Sequence, residues 1–346
     1  MSGPPLRVTY GPWGRTLAEL AEAAASAERA GAQVVWAPEL HRSATVSVAA
    51  MARATRQVTV GTAIMLAFTR SPMTLALEAM DLDELSGGRF ILGLGTGVQR
   101  LNELWHNARW GKPVPHLREV VRDVRAFWSA AARGRDIDLA GSYEPIRIKG
   151  YRRPFHQQRE AIPIYLASMG PLMTRLAGEV GDGWISHELI SPDFLSDQIM
   201  PGLREGITAS ERLDTDFDVV VSAVCSIDRD RAVARRRAAG TVGFYASVRT
   251  YSEFFAFHGL ASEQERIIAE FRANGDAEAL ADVVPPRMID ELTISGTPED
   301  LVAGLQRYEG LATSIKLTPP THGIDEAATR ECQEWIITAI AEYTGV

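Results

Sequence analysis

Cysteine is nearly absent: Cys225 and Cys332 are the only two in 346 residues. They lie far apart without metal-ligand spacing, so neither a disulfide framework nor a metal site is expected. No run of 18 consecutive apolar residues occurs, which excludes a membrane-spanning helix. Positive charge is also in deficit. A formal net charge of −8 provides no global basic field to draw in nucleic acid or an anionic membrane surface. The one basic run, Arg235-Arg236-Arg237, reads as a solvated helix face. MSGPPLRVTYG lacks the apolar core of a signal peptide, and with so little cysteine the expectation is a cytoplasmic protein that acts on a small molecule. Three catalytic signatures are missing as well: G-x-S-x-G, H-E-x-x-H and the P-loop lysine.

What the chain has instead is alternation. Short apolar or β-branched runs, such as Val58-Thr59-Val60 and Phe90-Ile91-Leu92, read as buried strands. Between them lie helical segments, with Thr16 and Thr297 as start residues. Eight strands begin near residues 6, 33, 58, 89, 162, 183, 217 and 313. Strand and helix in strict alternation call for parallel strands with helical crossovers. The expected fold is therefore α/β, a single (β/α)8 TIM barrel over residues 1–346. Insertions are expected at about 100–115 after strand four, at 133–160, and at 250–290 before strand eight. The second should carry a small hairpin around Tyr143, and the third reads as helical without a good strand. An open doubly wound sheet is the competing architecture.

In such a barrel the loops after the strands share one face, and chemistry belongs there. The central stretch is SGGRFILGLGTGVQRLNE, residues 86–103. A buried strand empties into Gly95-Thr96-Gly97, where backbone can approach a ligand closely, and Asn102 stands behind it. Strand one leads to Trp13, and strand two to Glu39 and His41. Strand three runs through Ala63 and Ile64 to Phe68, apolar almost throughout. Trp105 and Trp110 follow strand four. Strand five ends at Ala167, and Ser168-Met169-Gly170-Pro171 then opens a helix, where free amides and the helix dipole favour an anion. His187 follows strand six. A carboxylate such as Glu39 facing a barrel interior needs a partner. His41 and His187 are the candidates for handling a proton; the plain alternative for His41 is a loop histidine with no role, and for His187, at a strand end, a satisfied structural histidine. Trp13, Phe68, Trp105 and Trp110 are candidates for the substrate pocket, or simply cover the barrel mouth. Asp81, Asp83 and Glu84 read as solvated surface. One anion site, an apolar wall and several indoles suit a large planar cofactor carrying a phosphate.

Four segments, AERAGAQVVWAPEL, VGTAIMLAFTRSPMTLALEAMDLDELSGGRFILGLGTGV, HLREVVRDVRAFW and IPIYLASMGPLMTRLAGEVGDGWISH, carry a resemblance. GFYASVRTYSEFFAFHGL echoes it more weakly. Together they resemble the bacterial-luciferase-like superfamily of TIM-barrel flavin and deazaflavin oxidoreductases, nearest to an actinobacterial branch that uses coenzyme F420. The resemblance implies that Glu39 contacts the cofactor and that a non-proline cis peptide at Ala63–Ile64 bulges against the deazaflavin ring. It places Gly95, Thr96, Gly97 and Asn102 along the cofactor's side chain. Ala167, Ser168, Met169, Gly170 and Pro171 would hold its phosphate. Sugar-phosphate dehydrogenases of this group have a histidine after the strand-two acid and a glutamate after the glycine loop. Leu40 and Val98 stand there instead, so that reaction is not implied. The expected function is F420-dependent hydride transfer to or from a small organic substrate. The alternatives are an FMN-dependent, oxygen-activating monooxygenase and a cofactor-binding protein without catalysis. Members are commonly dimers or tetramers, so a homodimer or higher homo-oligomer is expected.

Overall fold

A computed structural model describes residues 6–211 and 217–346. Eight parallel strands form a closed barrel with flanking helices, the expected TIM barrel. They are β1 (Arg7–Tyr10), β2 (Val34–Ala37), β3 (Thr59–Thr62), β4 (Phe90–Gly95), β5 (Ile164–Ala167), β6 (Gly183–Ile185), β7 (Asp218–Ile227) and β8 (Ser314–Thr318). Every start falls within two residues of the position read from the sequence. β2, β4 and β7 are buried along their whole length, as strands covered on both faces must be.

The chain packs as two compact units. One comprises Val34–Ile185 and Met200–Val219. Its helices start on side-chain caps where the sequence supplies them: Ser43 accepts from Val46 N–H, and Ser71 from Thr74 N–H. Arg89 of the SGGRF run is structural. Its guanidinium donates to Val58 O and, at 3.2 and 3.3 Å, to Ala52 O and Thr55 O. It thereby satisfies carbonyls that the helix Ala44–Ala54 leaves open at its end. Asp83 corrects the surface reading. It is buried against the Arg159 guanidinium, while Asp81 and Glu84 are exposed. The 133–160 insertion carries the expected hairpin, Ile137–Leu139 antiparallel to Ile146–Ile148. Its tip is clamped by Glu119, whose carboxylate accepts from the N–H groups of Ser142, Tyr143 and Glu144 at 3.0, 2.9 and 3.1 Å.

The other unit comprises Met1–Gln33, Ser186–Ile199 and Val220–Val346. Thr16 and Glu19 close a capping box on the helix Leu17–Arg29. The 250–290 insertion is helical, with Ser252–Phe257, Ala261–Asn274 and Pro286–Leu292. A strand that sequence reading overlooks, Ile294–Gly296, then pairs parallel to the end of β7, Cys225 opposite Ile294. Its three residues are too few to show a period. The basic run is also corrected, because Arg237 is buried and paired with Asp228 at 2.9 Å and Glu331 at 2.5 Å. Arg235 pairs with Asp290 and Arg236 with Asp282. Among the described residues no helix is long and apolar enough to cross a membrane.

Candidate functional site

In the unit built on Val34–Ile185, the exit of β3 sets the geometry. β3 pairs with β4 at Val60↔Phe90 and Gly61↔Ile91, then leaves it, and Met65–Leu66 rejoins β4 opposite Leu94 and Gly95. Ala63 and Ile64 lie in the gap, joined by a cis peptide. Where the ladder is lost, the Thr62 hydroxyl replaces it, donating to Gly93 C=O at 2.7 Å and accepting from Gly93 N–H at 2.9 Å. The end of β2 braces the other side: Ala63 N–H donates to Ala37 O at 2.9 Å, and Glu39 N–H to Ile64 O at 3.0 Å.

The Glu39 carboxylate is committed to the same bulge. Oε2 accepts from Leu66 N–H at 2.9 Å and from Arg70 Nη1 at 2.8 Å, while Oε1 accepts from Arg70 Nη2 at 2.5 Å. Burial pushes this carboxyl up, but the Arg70 hydrogen bond, the Leu66 N–H and the Arg70 charge outweigh it and hold the group below the usual carboxylate range. Arg70 also reaches Glu78 at 3.2 Å. The acid that the resemblance puts on the cofactor is thus a clamp for the segment behind it.

Three strand ends meet beside this bulge. A methyl group on Gly95 would lie 2.9 Å from the Ile64 side chain and 3.5 Å from Ala167 Cβ, so residues 64, 95 and 167 form one wall. Gly97 follows at φ 63°, and a Cβ there would meet Leu66 at 2.6 Å. Asn102 holds the turn, its Nδ2 donating to Thr96 O at 2.8 Å and Val98 O at 3.0 Å. That orientation leaves its buried Oδ1 without a partner. The β5 loop is spent at its side chain. Ser168 Oγ bonds Thr174 Oγ1 at 3.0 Å and accepts from Trp184 Nε1 at 2.9 Å. Gly170 caps the helix Pro171–Val180 with no side-chain hydrogen bond, which leaves the N–H groups of Leu172 and Met173 uncapped. Residues 167–173 contain no lysine or arginine.

Phe68 is buried in an aromatic stack. His116 lies flat on it at 3.9 Å, Tyr143 of the hairpin covers His116 at 4.8 Å, and Trp110 meets Phe68 edge-on at 5.3 Å. Two candidates are not brought to this wall. Trp105 is 65% exposed on the short helix Gln99–Trp105, and His41 is exposed before the helix Ala44–Ala54. Neither exposure was signalled in the sequence, because the residues around each are of mixed composition.

In the other unit, Trp13 is tied to the helix Glu326–Thr344. Its N–H donates to Gln333 Oε1 at 2.9 Å, and the Arg330 guanidinium lies over its ring at 5.3 Å. His187, two residues after β6, stands in a polar cluster. Glu188 accepts from the Lys316 ammonium of β8 at 2.8 Å. Tyr245 and Tyr251 each approach the imidazole with centroids 4.5 Å away. Lys316, Tyr245 and Tyr251 escaped sequence reasoning, although a lysine inside the apolar run Ser-Ile-Lys-Leu-Thr was a usable signal.

The sequence pattern of the luciferase-like monooxygenase family matches residues 3–314. Over 323 residues the chain is 30% identical to an uncharacterized protein of Mycobacterium tuberculosis, covering 91% of this chain and 92% of that one. Over 310 residues it is 28% identical to the F420-dependent glucose-6-phosphate dehydrogenase of Amycolatopsis mediterranei, with 84% of each chain covered. Among solved structures, the coenzyme F420-dependent tetrahydromethanopterin reductase from Methanopyrus kandleri matches with a TM-score of 0.81. That match spans 98% of this chain and 100% of the other at 22% identity, a likeness of fold. With a family match over most of its length, the chain belongs to the luciferase-like monooxygenase family and is an oxidoreductase.

Proposed function

We propose that this oxidoreductase transfers a hydride between coenzyme F420 and a small organic substrate. The observation that carries the reading is the meeting of Ile64, Gly95 and Ala167 beside an uncapped helix start. Ile64 and Ala63 would back the planar ring, Thr96, Gly97 and the free Asn102 Oδ1 would line its side chain, and the Leu172 and Met173 amides would take its phosphate. Bound there, F420 supplies a ring carbon that gives or accepts the hydride. The chain's own part is to orient: the Glu39–Arg70 pair and the Thr62 hydroxyl fix the wall, which is where rate is gained by positioning.

The charge at the helix start supports F420 over FMN. F420 presents a singly charged phosphodiester, whereas FMN presents a phosphate monoester with up to two charges. Backbone amides in a stretch without lysine or arginine suit the former better. Arg175, two residues into the second turn, is already paired with Glu205 at 2.9 Å. The F420 name of a relative matched over 84% of the chain points the same way.

The test is anaerobic mixing of reduced F420 with the protein and a small enone, followed by deazaflavin absorbance. Oxidation without oxygen is expected. Leu172→Asp sets a carboxylate beside the free amides, and it should raise the F420 concentration for half-saturation by about tenfold while leaving kcat within about twofold. An absolute requirement for oxygen would contradict the reading.

A further inference from the structure

His187 lies outside every residue assigned to the cofactor, and its ring is held in one state. Leu189 N–H donates to Nδ1 at 3.4 Å, so Nδ1 is the bare nitrogen and the neutral ring carries its proton on Nε2. Nε2 is shielded from solvent and has no hydrogen-bond partner. A buried donor in that condition is costly unless something binds it. Tyr245 meets the ring edge-on and Tyr251 meets it tilted, giving an aromatic surround. The charges nearby cancel, because Glu188 and Lys316 form one ion pair. Glu188 and Lys316 are the charges that act on the imidazole, so among the described residues no unpaired charge beside it favours a phosphate, carboxylate or ammonium.

We propose that His187 presents a fixed Nε2–H, flanked by the Tyr245 and Tyr251 rings, to the oxygen of an uncharged carbonyl ligand and not to a phosphorylated or carboxylated one. The imidazole donates a hydrogen bond and gives up no proton, so it orients and polarises the C=O group as an oxyanion-hole donor does. Burial lowers its pKa to about 4, with Glu188 pulling it up and Lys316 pushing it down. Tyr245 and Tyr251, the other titratable groups facing it, are kept protonated by burial. The donor is therefore unchanged across the neutral range.

Nitrogen-15 NMR on the full chain, labelled at its seven histidines and assigned through His187→Gln, tests this without cofactor. The expected result is the neutral Nε2–H tautomer from pH 5.5 to 8, with a Nε2 signal that shifts on adding cyclohex-2-en-1-one and ignores inorganic phosphate. His187→Gln can still offer an amide N–H at that place and should bind the enone within about threefold of wild type. His187→Phe should bind it about tenfold more weakly. An Nδ1–H tautomer, protonation above pH 6, or a Nε2 signal unmoved by the enone would each overturn the proposal. A failure to bind F420 would leave all of these readouts in place, and the reverse also holds, so the two readings fail separately.

Discussion

Gly93→Ala is expected to lower the thermal unfolding midpoint by roughly 5–10 °C. The added Cβ would stand 1.8 Å from Thr62 O, and neither partner can swing aside, since both belong to barrel backbone. The Thr62 hydroxyl ties Gly93 through both its N–H and its C=O, so relief of the clash would break two hydrogen bonds as well. Overpacking of this kind costs about 3–5 kcal/mol when backbone must move. Gly87→Ala makes the control. Gly87 has φ 70° and no atom within 4 Å of the new methyl, so only the left-handed backbone counts, at about 1 kcal/mol. Parallel thermal melts of the two variants check the difference. Equal losses would mean that the β3–β4 contact does not fix the wall.

Arg70→Met should be the most damaging single change at the site that leaves the backbone untouched. It strips Glu39 of its bidentate partner while the carboxylate stays largely enclosed, its side chain 7% exposed. Breaking a buried pair from one side costs about 3–5 kcal/mol; with Arg70 partly exposed and Leu66 N–H still donating, about 2–3 kcal/mol is expected. The pH dependence follows from the direction of the Glu39 shift. In the wild type Glu39 is held below its ordinary value of 4.5, so the pair's stabilisation is present above that pH and lost as the pH falls through the folded value. In Arg70→Met, burial is left to act and favours the protonated acid. The gap between variant and wild type should therefore be widest at neutral pH and narrow below pH 4.5. Adding Glu39→Gln should recover part of the loss, because no unpaired charge then remains. Urea titrations at the two pH values measure this, and a constant gap would show that Glu39 is not ionised against Arg70.

The barrel was legible because strands buried on both faces concentrate β-branched and apolar residues between glycine and helix-cap signals. Val58-Thr59-Val60 and Thr16 are cases in point. The loops proposed here to line a cofactor are marked in the sequence by their glycines and by the helix start at Gly170-Pro171. What could not be read depends on partners far along the chain. Glu39 is paired with Arg70, 31 residues later. Asp83, read as surface, is buried by Arg159, 76 residues later. Ser168, in the loop after β5, engages its hydroxyl with Trp184 and Thr174. In sequence both His41 and His187 are candidates for a proton, His187 being the better placed at its strand end. Tertiary structure adds that one is exposed and the other is wedged between two tyrosines with its Nε2–H unsatisfied. Local sequence encodes elements and turns, whereas the protonation and pairing of a side chain are set by whichever distant residue the fold brings to it.

The most direct measurement is a pair of equilibrium titrations of the purified chain, one with F420 and one with FMN, followed by cofactor fluorescence. Saturable binding of F420 with FMN weaker by at least about tenfold is the predicted result. Tight FMN binding with no response to F420 would contradict the assignment of the Ile64–Gly95–Ala167 wall and the Leu172–Met173 amides to a deazaflavin.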